Sequence, residues 1–183
     1  MASAFSHAFV AVAIGKIYTG AQMPLRFWLL SAFCAVVPDA DVVGFAFGIR
    51  YGDMLGHRGL THSLAFAAVL ALAVVALAFK DVPRWSCRWW ALVAYFFAVT
   101  ASHGALDALT NGGLGVAFFA PFSAARYFFP WRPVEVSPIG VAPFFGEWGV
   151  RVIESELVWL WLPAAALMSC AWAGRRLTAR ARS

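Results

Sequence analysis

The sequence predicts an all-α fold, a polytopic membrane bundle of four to five helices with an aromatic, Pro- and Gly-rich cap on its extracytoplasmic side. Three observations predict it. Of the 183 residues, 62% are hydrophobic and only 13% charged, and the mean hydropathy is +0.75. A soluble domain carries roughly 25% charged and about 45–50% apolar residues, so part of this apolar surface is expected to face lipid. The apolar residues also fall in long runs, and five of the nine prolines crowd into 111–152.

Segment 2–14 is apolar but short and contains His7, which predicts a shorter, half-buried helix. Segment 25–47 reads as a span interrupted by Pro38, Asp39 and Asp41. Segment 63–79 runs 17 residues without a charge, enough for a nearly untilted span. Segment 89–110 is apolar as far as His103 and Asp107, and 157–173 forms the last span, with Pro163 expected to kink it. Between these, Pro121, Pro130, Pro133, Pro138 and Pro143 forbid a long helix. The aromatic residues there, such as Phe119, Phe122, Tyr127 and Trp131, suit a membrane–water interface. The chain 1–183 therefore reads as one domain with 111–152 as its interfacial cap, without internal repeats or the pattern of a removable signal peptide.

The net charge is +5. If the helices alternate, connections 15–26 and 80–88 and the tail share one side, with nine of the 14 Lys and Arg and one acid, a balance of +8. The rest of the chain sums to −3. The positive-inside rule then places the C-terminus in the cytoplasm of a multi-pass inner-membrane protein, with the 48–62 loop and the cap outside. No base-reading motif accompanies the basic residues, so nucleic acid is not an expected partner; membrane lipids are. Cys34, Cys87 and Cys170 show no ligand spacing and are expected to be small core hydrophobes.

All four histidines sit in polar islands: His7; His57 and His62 in HRGLTHS; and His103 in SHGALDALTNGG. PDAD supplies Asp39 and Asp41, and Asp107 follows His103 by four residues, one turn along the same helical face. An acid inside a span is costly, which makes each one a functional candidate. At about 1.5 Å per residue, His103 lies roughly 21 Å above Trp89, Asp39 roughly 20 Å above Arg26, His62 roughly 26 Å above Phe79 and His7 roughly 13 Å above Lys16. Four segments thus bring ligand-type residues to a similar depth, open toward the outside. The mixture of imidazole and carboxylate suits a divalent transition metal, Zn²⁺ first, with Mn²⁺ or Fe²⁺ as alternatives. Seven candidate ligands, His7, Asp39, Asp41, His57, His62, His103 and Asp107, exceed the needs of one tetrahedral ion, so two or three ions sharing a bridging carboxylate are expected. Thr61, Ser63, Ser102 and Thr110 are candidates for orienting the imidazoles. Arg58 has two readings, contact with a substrate phosphate or pairing with Asp41 or Asp53; Arg126 and Arg132 are further phosphate candidates. Glu154 and Glu156 are expected to begin the last helix, where acids favour the dipole, and either can be a further ligand.

At these residues, together with PFSAARYFFP (Pro121 to Pro130), the chain resembles the membrane-bound metal-dependent hydrolases often called YdjM-like. That family looks distantly similar to zinc-dependent phospholipase C and the P1-type nucleases, helical phosphodiesterases with a three-zinc cluster. The early His and the H-x-x-x-D pair match His7, His103 and Asp107, but no histidine follows His103, which favours two ions over three. The resemblance implies a hydrolase of phosphoesters, acting on a phospholipid or other amphiphile through metal-activated water, with Arg58 and Asp107 as catalytic candidates. The rival expectation is a metal-transporting or metal-sensing membrane protein without hydrolytic activity; the sequence lacks the repeated halves usual in transporters.

Overall fold

The computed structural model describes residues 1–180. Among them the chain is all-helical, with only two isolated β-bridges, Thr110 with Val134 and Val116 with Tyr127. Helix α1 spans Ala4–Tyr18 and α2 spans Leu25–Val36, continued by a 3₁₀ segment Val37–Phe47. A single 3₁₀ turn, Leu60–His62, leads into α3, Leu64–Ala78, and α4 follows at Cys87–Ala108. Short α5 (Val141–Phe144) precedes α6 (Glu147–Glu156), which runs through a π-helical turn, Leu157–Trp161, into α7 (Leu162–Arg180).

Serine starts three of these helices for the usual reason: its side-chain oxygen accepts a backbone N–H that the first turn leaves unpaired. Ser3 accepts from Ser6, Ser63 from Phe66, and Ser86 from Trp89. The π turn has a local cause in Pro163, which has no N–H to give to Trp159; Leu162 N–H instead reaches the Leu157 carbonyl.

Helix α4 is the central post. Helix α3 packs along it, and α1 lies against α2, α4 and α7. Phe27, Val75, Trp89, Tyr95, Phe96 and Val99 form the buried core at one end. Small residues let the helices approach, as in lipid-embedded bundles: Ala11, Ala67 and Ala71 are fully buried. At Gly15 a Cβ would come within 2.7 Å of the Trp28 ring.

Three helices are long and apolar enough to cross a membrane: Leu25–Phe47, Cys87–Ala108 and Glu147–Arg180. Helix α3, read from the sequence as a further span, is among the shorter apolar helices. It has 15 residues, about 22 Å of helix against a core about 30 Å thick. The last helix begins at Glu147 rather than near residue 154, so the irregular segment is shorter than 111–152. Of the cysteines only Cys34 is buried; Cys87 and Cys170 are exposed on the helical surface, not in the core.

The basic connections gather at one end. Arg175 donates to the carbonyls of Lys16 and Ile17, and Arg26 pairs with Asp81 at 2.6 Å.

Candidate metal centre

The site lies at the other end, where α4, the 3₁₀ segment, the Leu60–His62 turn and the start of α1 meet. Helix α4 contributes His103 and Asp107, four apart on one face, with His103 Nε2 and Asp107 Oδ2 4.0 Å apart. The 3₁₀ segment contributes two acids aimed differently. At three residues per turn, positions two apart diverge by about 120°. Asp39 accordingly faces His103 at 3.3 Å and His62 at 3.5 Å, while Asp41 turns to His57 at 2.7 Å and to the other nitrogen of His62 at 3.2 Å. From α1, His7 stacks on the His103 ring at 3.7 Å, with its Nε2 3.4 Å from Asp107 Oδ1.

The imidazoles are oriented in one sense. His103 Nδ1–H donates to the Ala35 carbonyl and His57 Nδ1–H to Asp41 Oδ1, both at 2.7 Å. His62 Nδ1 lies against Asp41 and Thr61, and Thr61 Oγ1 itself donates to Asp41. Fixing Nδ1 on an acceptor leaves Nε2 as the free lone pair, the arrangement that prepares a metal ligand. For His62 and His103 those Nε2 atoms face each other at 3.0 Å.

Asp39, His62, His103 and Asp107 are buried, and one donor atom from each lies within 4.8 Å of the others. The residues fit an ion. Both Asp39 oxygens, Asp107 Oδ2 and both His7 nitrogens are buried without a hydrogen-bond partner. The Arg58 guanidinium lies 3.2 Å from Asp107 Oδ2, but Asp39 faces the imidazoles of His62 and His103, and a buried carboxylate without a cation is costly. The group therefore calls for positive charge. Burial opposes a proton on His62, yet Asp107, Asp39 and Asp41 outweigh it and push its pKa up to about 10. The group Asp41, His57 and His62 forms a second cluster sharing His62; within it His57 already donates to Asp41 Oδ1, and His62 Nδ1 lies 3.2 Å from Asp41 Oδ2.

All seven expected ligands thus fall in these two clusters or, for His7, beside them. The neighbouring assignments change more. Arg58 is fully buried and its Nε lies 3.2 Å from Asp107 Oδ2; the expected side-chain partners Asp41 and Asp53 are not the ones it takes. Its other nitrogens donate to the Gly112 carbonyl and Thr110 Oγ1. Thr110 therefore holds an arginine, not an imidazole. Ser63 caps α3, and Ser102 donates to the Val99 carbonyl of its own helix. Arg126 is a backbone staple, donating to the carbonyls of Tyr51, Asp53 and His57, and exposed Arg132 lies over the Phe128 ring.

Glu154 is exposed, whereas Glu156 is fully buried and accepts from the Ser3 N–H, the Ser3 hydroxyl and the Ser6 hydroxyl. It sits mid-helix, so the dipole reading does not apply to it, and its hydrogen bonds hold the start of α1 and with it His7. Ala2 N–H completes the anchor by donating to Asp107 Oδ1 at 2.7 Å. Sequence reasoning missed Ser3 and Ser6; the available signal was a serine ahead of an apolar run.

Gly104, beside His103, lets the His62 backbone approach: a Cβ there would stand 2.9 Å from the His62 carbonyl oxygen.

Fold and site define a helical membrane protein with a buried His/Asp group positioned to hold a metal ion. The chain belongs to the YdjM inner membrane protein family, whose model matches residues 1–178. Inner membrane protein YbcI of Escherichia coli (strain K12) is 38% identical to it over 177 residues, 96% of this chain and 100% of the relative. No solved structure matches.

Proposed function

We propose that the protein is a metal-dependent hydrolase of amphiphilic phosphoesters, with phospholipids as the substrate class. One observation carries the reading: Asp39, His62, His103 and Asp107 converge in a buried group in which both Asp39 oxygens and Asp107 Oδ2 accept no hydrogen bond from the protein. Zn²⁺ suits the nitrogen and oxygen donors. A first ion is held by this group, with His7 beside it, and a second by Asp41, His57 and His62. Bound ions supply Lewis acidity toward a phosphoryl group and lower the pKa of water toward neutrality. Asp41 and the Ala35 carbonyl orient the imidazoles, and Arg58 locks Asp107 in place instead of meeting substrate directly. The positive-inside rule supports a site on the extracytoplasmic side with the C-terminus in the cytoplasm.

The test is hydrolysis of a phosphodiester panel by gently extracted protein, before and after chelation and zinc return. Activity that depends on metal and disappears in His103→Ala and Asp39→Asn supports the reading; activity that persists in either variant sinks it. Full burial of His7, His103 and Asp107 inside the bundle favours a second reading, metal transport or sensing, in which the ion is cargo or signal. Zinc flux into proteoliposomes that the same variants abolish, with no hydrolysis, would establish the transport arm.

A further inference from the structure

Two adjoining cavities open beside the His/Asp clusters. The first, about 280 Å³, is lined by Tyr51, His57, Gly113, Ile139 and Trp148. His57 is fully buried, and with Nδ1 held by Asp41 its Nε2 has no protein partner. The Tyr51 ring stands edge-on to His57 at 5.1 Å. Gly113 has φ +90°, and a Cβ there would come within 2.7 Å of the Tyr51 hydroxyl and 2.8 Å of Arg58 Nη1. A residue with a side chain would be strained there and would crowd this polar corner.

The second cavity, about 390 Å³, shares Met1, Ser137 and Pro138 with the first. Its remaining wall is almost wholly apolar, with Phe5, Val42, Val141, Phe144 and Phe145. Three of these are open to the surroundings: Phe5 is 60% exposed, Val141 76% and Phe145 79%. The two volumes are within or near the range of roughly 300–1,000 Å³ typical of small-molecule sites. The first recess is itself mostly apolar but ends at the unpartnered His57 Nε2, and it continues into the apolar groove. A polar foot beside the ligand clusters with an apolar run beyond it matches a polar head joined to a hydrocarbon tail.

We propose that this groove is the acyl-chain subsite, seating one fatty chain of a phosphoester lipid between Phe5, Val42 and α5 while the head group occupies the recess at His57 and Tyr51. The proposal rests on the hydrolase reading and adds the place where the tail lies.

Two measurements test it. In the metal-loaded protein, Val141→Glu and Phe145→Glu are compared with wild type on a long-chain phospholipid and on a short-chain soluble phosphodiester. The ratio of long- to short-chain kcat/KM falls at least tenfold in both variants; an unchanged ratio overturns the proposal. In parallel, a phospholipid carrying a diazirine on its acyl chain is photolysed with the protein in nanodiscs, and the adducts are mapped. Adducts concentrated at Phe5 and 138–145, and lost in Val141→Glu, support the subsite. Adducts spread evenly over the lipid-facing helices in both proteins overturn it. If no phosphodiester is cleaved at all, the hydrolase reading fails, and the adduct map still decides whether the groove holds a chain.

Discussion

Glu156 and Ser3 are 153 residues apart in sequence, yet one carboxylate oxygen of Glu156 takes the Ser3 N–H and the other takes the Ser3 hydroxyl at 2.6 Å. The start of a helix leaves N–H groups unpaired and carries positive charge, so a buried carboxylate is favoured there. Replacing it with a neutral amide weakens three charge-assisted bonds. Glu156→Gln is expected to destabilise the protein by about 2–3 kcal/mol, read as a lowered midpoint of thermal unfolding in detergent. Metal content should stay near wild type; full stability with lost metal would make Glu156 a ligand.

The facing Nε2 atoms of His62 and His103 lead to a separate expectation. His62→Ala, which removes the ligand common to both clusters, should reduce bound transition metal to background, and His103→Ala should remove the first ion, measured by elemental analysis after mild extraction. Asp41→Asn, which disturbs the orientation of His57 and His62 and not the first ion's shell, should weaken metal binding by about 10–100-fold. Metal content matching wild type in all three variants would rule out both clusters as ion sites.

Gly104 separates packing from ligation. Gly104→Ala introduces no charge and removes no donor, but its Cβ would press on the His62 carbonyl oxygen. Such overpacking costs typically about 1–3 kcal/mol, and the displaced turn carries His62. The expected outcome is a lower unfolding midpoint together with weaker metal retention. A variant that matches wild type on both would show that this contact tolerates an extra methyl.

Orientation can be read on intact cells with a membrane-impermeant thiol reagent. Cys87 is exposed at the start of α4, at the end that gathers the basic connections, and Phe122 is 89% exposed in the opposite, irregular segment. The positive-inside rule expects no labelling of Cys87 until the cells are broken, and ready labelling of Phe122→Cys in a background lacking the native cysteines. The reverse pattern would invert the topology.

Helical membrane residence and the ligand-type residues were legible in the sequence because each rests on local chemistry. Apolar runs force backbone hydrogen bonds inward as helix, and His103 and Asp107 share a face by spacing alone. The third helix was legible to within a residue at each end, the charge-free run 63–79 folding as Leu64–Ala78 with Ser63 as its cap. The fate of the arginines was not legible. Whether Arg58 meets Asp41, Asp53, Asp107 or a substrate depends on which loops fold over it, and the positive φ of 62° that aims it is a property of the folded turn.

Composition and pattern, then, determined a membrane-embedded helical chain carrying seven ligand-type residues, because hydropathy and helical periodicity act over a few turns. Only the tertiary structure divided those seven into a buried group around Asp39, His62, His103 and Asp107 and a second around Asp41 and His57. It also turned Glu156 from a possible ligand into the anchor that holds His7 beside them. Those assignments depend on distances between atoms more than a hundred residues apart in the chain, which packing alone sets.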